Sequence, residues 1–515
     1  MKQKTWIISA LMCAMVIMVC LGVLHLLKEM TENNAPSGTV AEESTDHTEP
    51  EIDFAEEEET KEDIAETGSE EEESDVPVER EEGYYGWKQE LPQIFPSVPE
   101  EVPYEPPRLI LATDLHYQSA QADDGGAAFQ LFVERGDGKV VEYLPELLEA
   151  FMDQVIEEHP SALVLSGDIT MNGEKINHEE LARGLMRVQD AGIPVLIVPG
   201  NHDINNPHAA VYFGEEKAET DPVTPEEFYN IYHMYGYDQA ISRDDASLSY
   251  VYQLDERNRL LMLDTCQYSP VSKIGGMIGT ETYEWIDRQL EKAREDGVIL
   301  LPVGHHNLLD QSRVYTEDCT IEHSEELIER LEAENIPLFL SGHLHVQHFM
   351  RHEDGRGIYE IVTSSLTTPP CQYGVLEYRD DESFSYYTRQ VDMEKWARRH
   401  QSTDENLINF NTYSKTALKN IFYNQAYDAM KNSRQEEKGD LFVKLTEEQK
   451  KAMAEVYSRM STAWYAGKGY EAVKGAVEDP GFKMWQEFCY PAVLYEYLEY
   501  MTADSVRDYN KLQSE

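Results

Sequence analysis

The sequence predicts an α/β domain with two mixed β-sheets, preceded by a long non-globular stretch and followed by a helical one. Three observations carry this. Short apolar runs recur from Arg108 onward (RLILAT, SALVLS, IPVLIVP, GVILLPV and IPLFLS), and each closes on a polar or glycine loop. Helical patterns lie between them. Leu181, Leu185 and Val188 share one face, as do Tyr283, Ile286, Leu290 and Ala293. Later runs (SLSYVYQL, NRLLMLDT, GIYEIVTSS, YGVLEYRD and SFSYYTRQ) have no helix between them and are expected to add antiparallel strands. Strands alternating with helices imply a core of buried central strands.

Taken in order, the chain opens on a run from Trp6 to Leu27 that is apolar apart from Ser9 and His25, long enough to span a bilayer. Lys2 and Lys4 precede it, which favours an N-in, C-out orientation. A cleaved signal peptide is the rival reading, but no A-x-A site follows the run. Val19 before Cys20 argues against a lipoprotein signal. Residues 1–28 are therefore expected to be a signal anchor, with the rest of the chain extracytoplasmic at the cell membrane. Residues 29–103 show no periodicity. Between Glu29 and Glu82 there are 23 acidic residues against Lys61 and Arg80, and Pro-rich sequence follows. Such a segment cannot bury enough surface to fold and repels itself into a spacer.

The whole 515-residue chain carries a formal charge of −55. Binding a phosphate backbone needs a basic surface, so no nucleic-acid polymer is expected as partner. Six cysteines in a chain this long do not form a disulfide framework. Residues 104–390 are expected to form the catalytic domain and 391–515 a helical one. In the latter, Phe410, Tyr413, Ala417, Ile421 and Phe422 form one stripe. A capping box at Thr446–Gln449 opens a helix carrying Met453, Val456, Met460 and Trp464 inward. Pro491 breaks the helical pattern that follows.

What stands after each strand-like run decides the chemistry. RLILAT leads to Asp114 and His116, SALVLS to Asp168, and IPVLIVP to Asn201, His202 and Asp203. GVILLPV leads to His305 and His306, and IPLFLS to His343 and His345. Ligands of open α/β sheets bind beyond the carboxyl ends of strands. Imidazole and carboxylate together suit divalent Mn, Fe, Zn or Co. Asp114, His116, Asp168, Asn201, His305, His343 and His345 are too many for one open catalytic ion and suit two, with a carboxylate bridging. Paired ions of this kind serve hydrolysis at phosphorus. On an extended segment, His343 and His345 would point the same way and reach one cluster.

The five elements TDLH, SGDIT, PGNHD, VGHHN and SGHLH, in this order, resemble the calcineurin-like metallophosphoesterase superfamily over Arg108 to Gln390. The resemblance implies a four-layer αββα sandwich with a binuclear centre at one edge. By it, Asp114, His116, Asp168 and His345 hold one ion, and Asp168 bridges to a second held by Asn201, His305 and His343. It makes His202 the group that binds a phosphoryl oxygen and protonates the leaving group, with Asp203 orienting it or tuning its charge. The family usually has His-x-Pro where this chain has His305-His306-Asn307, so His306 competes with His305 as ligand. Met171 stands where purple acid phosphatases carry an iron-binding Tyr, and GDITMNGE lacks the Asp-Arg-Gly of protein Ser/Thr phosphatases. The branch most similar is the class III cyclic-nucleotide phosphodiesterases, and more narrowly phosphodiesterase-like proteins exported by Gram-positive bacteria. Asn172, Asn205 and His208 lie beside the motifs as possible substrate contacts.

The expected function is metal-dependent hydrolysis of a small extracytoplasmic phosphodiester such as a cyclic nucleotide. A phosphomonoesterase or pyrophosphohydrolase on cell-envelope precursors is the alternative. An anchored, non-catalytic scaffold is the reading from another class. A homo-oligomer is compatible with each. NNPHAAVYFGEEKAETDP and QYSPVSKIGGMIG are the loops expected to wall the pocket.

Overall fold

A computed structural model describes residues 104–134, 136–312, 318–379 and 383–514. The anchor and spacer expected over residues 1–103 lie outside the described residues. Among the described residues, no helix is long and apolar enough to cross a membrane.

Fifteen strands are described. In chain order they are β1 (Arg108–Ala112), β2 (Ala162–Ser166), β3 (Val195–Val198), β4 (Ala210–Phe213), β5 (Glu216–Glu219), β6 (Ser242–Arg243), β7 (Tyr250–Gln253) and β8 (Asn258–Met262). Then come β9 (Ile299–Val303), β10 (Leu338–Ser341), β11 (His348–Arg351), β12 (Tyr359–Val362), β13 (Gln372–Tyr378), β14 (Phe384–Gln390) and β15 (Lys511–Gln513). One sheet runs β15-β14-β13-β1-β2-β3 and the other β11-β12-β10-β9-β8-β7-β6, while β4 and β5 form a separate hairpin.

Both large sheets are mixed. β1, β2 and β3 are mutually parallel, as are β8, β9, β10 and β12. Every residue of β2, ALVLS, is buried, the pattern of a central parallel strand covered on both faces. Two of the late runs depart from the antiparallel expectation: β8 pairs parallel with β9, and β12 parallel with β10. Helix Thr280–Asp296 carries the chain from β8 back to a parallel β9, and β12 follows the short β11 turn onto the free side of β10.

Alternation along β8 shows where the cores lie. Leu260 and Met262 join a core shared with β1, β2 and β3 of the other sheet, so the two sheets face each other. Leu261 joins a second core with Tyr283, Ile286, Leu290 and Ala293 of helix Thr280–Asp296 and Leu327 and Leu331 of helix Glu325–Ala333. Helices Leu144–Glu158 and Lys175–Asp190 bury Phe151, Val155, Leu181, Leu185 and Val188 in the first core.

The C-terminal region is helical and has its own core around Met453, Met460, Trp464 and Trp485. Its capping box at Thr446–Gln449 is formed as expected. The stripe on helix Phe410–Asn432 takes another register. Phe410, Ser414, Leu418, Phe422, Ala426 and Met430 are buried, whereas Tyr413, Ala417 and Ile421 are only partly so. Spacing by four keeps one line of contact along a long helix, and Ala426 on that line joins the core shared with Met453, Met460 and Trp464. This region is stitched to the sheets at both ends. Met393, Leu407 and Phe410 pack in the first core, and β15 returns to pair with β14.

Candidate metal centre

The loops that follow β1, β2, β3, β9 and β10 converge. Their backbones are unusual. Asp114, His116, Asp168, His343 and His345 all have positive φ, between 42° and 72°. Left-handed backbone at a non-glycine residue costs of the order of 1–3 kcal/mol and persists where the surroundings hold it. Two glycines make room for the crowding. A Cβ at Gly200 would strike the amide of Asp168, and one at Gly342 would strike the Thr113 hydroxyl.

Two donor clusters result, and they share Asp168. In the first, Asp114, His116, Asp168 and His345 offer one atom each, all within 4.8 Å of one another. His345 Nε2 lies 3.2 Å from Asp114 Oδ1 and 3.0 Å from His116 Nε2, and His116 Nε2 is 3.9 Å from Asp168 Oδ2. In the second, His305 Nε2 stands 3.3 Å from Asp168 Oδ2 and 3.3 Å from His343 Nδ1. Asn201 Oδ1 joins it, 3.2 Å from His305 Nε2. Asp114 Oδ1 is buried without a hydrogen-bond partner. Lone pairs of carboxylate, amide and imidazole thus converge with too few protons to satisfy them, and a divalent cation in each cluster would do so. The residues present fit two ions.

His306 is removed from the competition. Its Nδ1 meets the Thr265 hydroxyl at 2.8 Å and its Nε2 the Ile274 carbonyl at 2.8 Å, so both ring nitrogens are engaged away from the clusters. His343 and His345 do not lie on an extended segment. β10 ends at Ser341, and left-handed backbone at both positions sends His343 to the second cluster and His345 to the first.

The electrostatics fit a cation site. Burial opposes charge on His305, yet the Asp168 carboxylate outweighs it and pushes the imidazole up to about 9. Burial pushes His343 down to about 4, with His305 adding to the shift. Burial, then Lys139, hold His116 well below the usual imidazole range. Asp168 stays well below the usual carboxylate range against the cost of burial, because His305 and His202 face it. Metal ligation requires these imidazoles neutral, so binding releases protons and weakens in acid.

His202 stands just outside. Its ring is one-third exposed, and Nε2 is 4.0 Å from Asp168 Oδ2. Nδ1 lies 2.8 Å from the Met171 carbonyl and 3.0 Å from Asn172 Oδ1. Both partners accept, so Nδ1 carries the hydrogen and Nε2 faces the centre. Asp203, expected to orient His202, does not touch its ring. Its carboxylate accepts from the Gly200, Ile169 and Thr170 amides and the Thr170 hydroxyl, at 2.8–3.2 Å. Four donors around a buried carboxylate leave it no reach, and Asp203 ties the β2 and β3 loops together instead. The orienting side chain is Asn172, whose only sequence signal is its place after the Gly-Asp element. Asn205 donates to the Tyr268 carbonyl and His208 is exposed. Lys139, absent from any motif, lies in a loop before helix Leu144–Glu158, pairs with Asp137 and bears electrostatically on His116.

Two buried groups brace the site. Glu360 accepts from the Leu308 and Leu309 amides, Gln311 and the Ser341 hydroxyl, holding the β9 loop against the end of β10. Glu360→Gln would set an amide donor against these donors. It should cost about 1–3 kcal/mol, read as a lower midpoint in urea unfolding, and an unchanged midpoint would refute the bracing role.

His178 is fully buried. Its ring joins the Tyr232 hydroxyl at 3.0 Å to the Asp203 carbonyl at 2.9 Å. Burial pushes it down to about 3. Between that value and the ordinary value of about 6.5 the unfolded chain takes up a proton that the folded chain refuses. Its contribution to stability is therefore full above about pH 6.5 and is lost as pH falls towards 3, at up to roughly 1.4 kcal/mol per pH unit. Urea midpoints from pH 7.5 to 5 should fall less steeply in His178→Gln than in the wild type. Parallel curves would count against it.

Comparison with known proteins adds the following. Residues 107–347 match the model of the calcineurin-like phosphoesterases. Residues 392–508 match the model of the C-terminal domain of cyclic nucleotide phosphodiesterase. A protein of Psychrobacter arcticus named "Probable cyclic nucleotide phosphodiesterase" is 26% identical over 246 residues, which is 47% of this chain and 75% of the relative. A dimetal phosphatase from Danio rerio aligns at 15% identity and a TM-score of 0.41, over 56% of this chain and 97% of its own. A protein serine/threonine phosphatase from Saccharomyces cerevisiae aligns at 11% identity and a TM-score of 0.25, over 56% of this chain and 80% of its own.

Proposed function

We propose that this chain, a phosphoester hydrolase with a calcineurin-like phosphoesterase domain and the C-terminal domain of cyclic nucleotide phosphodiesterases, hydrolyses a small phosphodiester, most simply a cyclic nucleotide. The observation that carries the choice of a diester is the match of residues 392–508, beside a site with two donor clusters around one carboxylate.

On this reading Asp114, His116, Asp168 and His345 hold one divalent ion, and Asp168, Asn201, His305 and His343 the other. The ions, when bound, would supply Lewis acidity at the phosphoryl oxygens and acidify an attacking water. The chain's own residues do the rest. Asn172 and the Met171 carbonyl hold His202 by Nδ1, so that Nε2 is presented to the substrate. As the imidazolium, with a second hydrogen on Nε2, it donates to a phosphoryl oxygen and passes that proton to the leaving oxygen, returning to the neutral Nδ1–H form. Asp203 keeps the loops bearing Asp168 and Asn201 in register from beneath. The helix–sheet–sheet–helix layering of the phosphoesterase domain and its placement outside the cell, tethered through Trp6–Leu27, belong to the same proposal.

The test is to strip the protein of metal, reload it with manganese and compare 3′,5′-cyclic AMP, bis(p-nitrophenyl) phosphate and p-nitrophenyl phosphate. Metal-dependent turnover of the diesters above the monoester is the expected result. Preference for the monoester would move the assignment to a phosphatase. No turnover with both ions bound would favour the scaffold.

A further inference from the structure

The segment that leaves His345 is held by the C-terminal helices. Val346 shares a core with Met453, Trp464 and Tyr497. Gln347 donates from its backbone amide to the Tyr465 carbonyl (3.0 Å) and from Nε2 to the Tyr509 carbonyl (3.1 Å), while its Oε1 accepts from the Ser364 amide and the Tyr386 hydroxyl of the sheets. The His348 ring runs from Gln311 Oε1, 2.7 Å from Nδ1, to Asp504 Oδ1, 3.1 Å from Nε2, with Tyr509 against its face at 4.1 Å. Asp504 is fixed in turn by the Trp464 indole N–H at 2.9 Å, and the Tyr509 hydroxyl donates to its carbonyl at 2.7 Å. Three consecutive residues after the ligand loop thus contact helix Glu447–Tyr465, the end of helix Ala492–Asp504 and the strand-leading Tyr509.

The two histidines of that loop differ in support. His343 is pinned locally, by its amide on Asp114 Oδ2 (3.0 Å) and its Nε2 on the Asp318 carbonyl (2.8 Å). The His345 ring meets Asp114 and His116, which are themselves members of the first cluster. Its aim is therefore set by its backbone, which is left-handed and strained, with φ at 59°. Upstream that backbone is anchored in β10; downstream it is anchored first in the helices, through Val346 and Gln347, and from His348 also in β11.

We propose that the C-terminal helical region is a clamp on the first ion's site, with Asp504 and Gln347 as positioning residues that aim His345. The proposal rests on the two-cluster reading and adds a role for the helical region within it. It puts the helices' influence on one ion and spares the other.

The experiment is calorimetric titration of the metal-stripped full-length chain with manganese, for the wild type, Asp504→Ala, Asp504→Asn and a control, Asp479→Ala. Asp479 caps helix Pro480–Phe488 and pairs with Arg459 in the same region, without touching the ligand loop. The expected result is that Asp504→Ala weakens one of two binding steps by about 10- to 100-fold, as losing a group that orients a ligand does, and leaves the other step unchanged. Asp504→Asn, which keeps an acceptor, should recover part of the loss, and it carries the test if the alanine variant fails to fold. Asp479→Ala should bind as the wild type does. Unchanged binding in both Asp504 variants, or equal weakening in Asp504→Ala and Asp479→Ala, would overturn the clamp. A wild type that binds fewer than two ions would overturn the centre itself.

Discussion

His202→Ala should lower kcat by about 100- to 10,000-fold, the span of a lost general acid, while both ions stay bound. The reason is geometric. His202 lies 4.0 Å from the shared carboxylate but belongs to neither donor cluster. Its hydrogen-bonded Nδ1 leaves Nε2 facing the clusters without belonging to either. The loss should depend on the leaving group. A substrate with an acidic leaving group, such as a p-nitrophenyl ester, needs little protonation and should suffer least, whereas an alkoxide leaving group should suffer most. Kinetics on both kinds of ester, with metal content measured beside them, decide the point. An equal loss on both substrates would leave His202 as a binding group and no proton donor. Loss of metal would make it a ligand.

Asp168→Asn should do more damage by another route. Its two oxygens face different demands: Oδ1 accepts from the His202 amide at 2.8 Å, and Oδ2 lies 3.3 Å from His305 and 3.9 Å from His116. Removing the charge takes away the one anion common to both clusters. The amide that replaces it would set either an N–H against the His202 amide or an N–H₂ among imidazole lone pairs. Both ions should bind more weakly, and activity should fall by more than the roughly 100-fold typical of losing a group that only orients a ligand. Metal analysis after dialysis is the readout. Full retention of both ions would show that the clusters are held by their histidines and that Asp168 does not bridge.

Much of this was legible because the chemistry sits where strands end. A buried parallel strand is a continuous apolar run, so its boundary is sharp, and the residues after it are forced to the same edge of the sheet as their counterparts. That is why Asp114, Asp168, His305 and His345, each just after a strand, come together at one edge, and why Leu181, Leu185 and Val188 share the buried face that their spacing predicts. Contacts made across loops have no such period. Asp203 adjoins His202 in sequence and Asn172 lies 30 residues before it, and nothing in their order says that the distant one turns towards it. Packing chose Asn172, because three donors from the β2 loop and the Gly200 amide of its own loop already surround the Asp203 carboxylate.

By itself the sequence determined the succession of strands and helices, the acid-rich composition and the identity of the donor residues, since all three follow from local periodicity, charge and residue type. The division of the donors between two clusters was implied only by resemblance until the tertiary structure brought them together, and only that structure decided that His306 belongs to neither. It also decided that the segment after His345 is gripped by helices more than 100 residues away. The physical reason is that positive φ at Asp114, His116, Asp168, His343 and His345 is imposed by the packing of neighbouring loops. A left-handed aspartate or histidine is spelled no differently from any other.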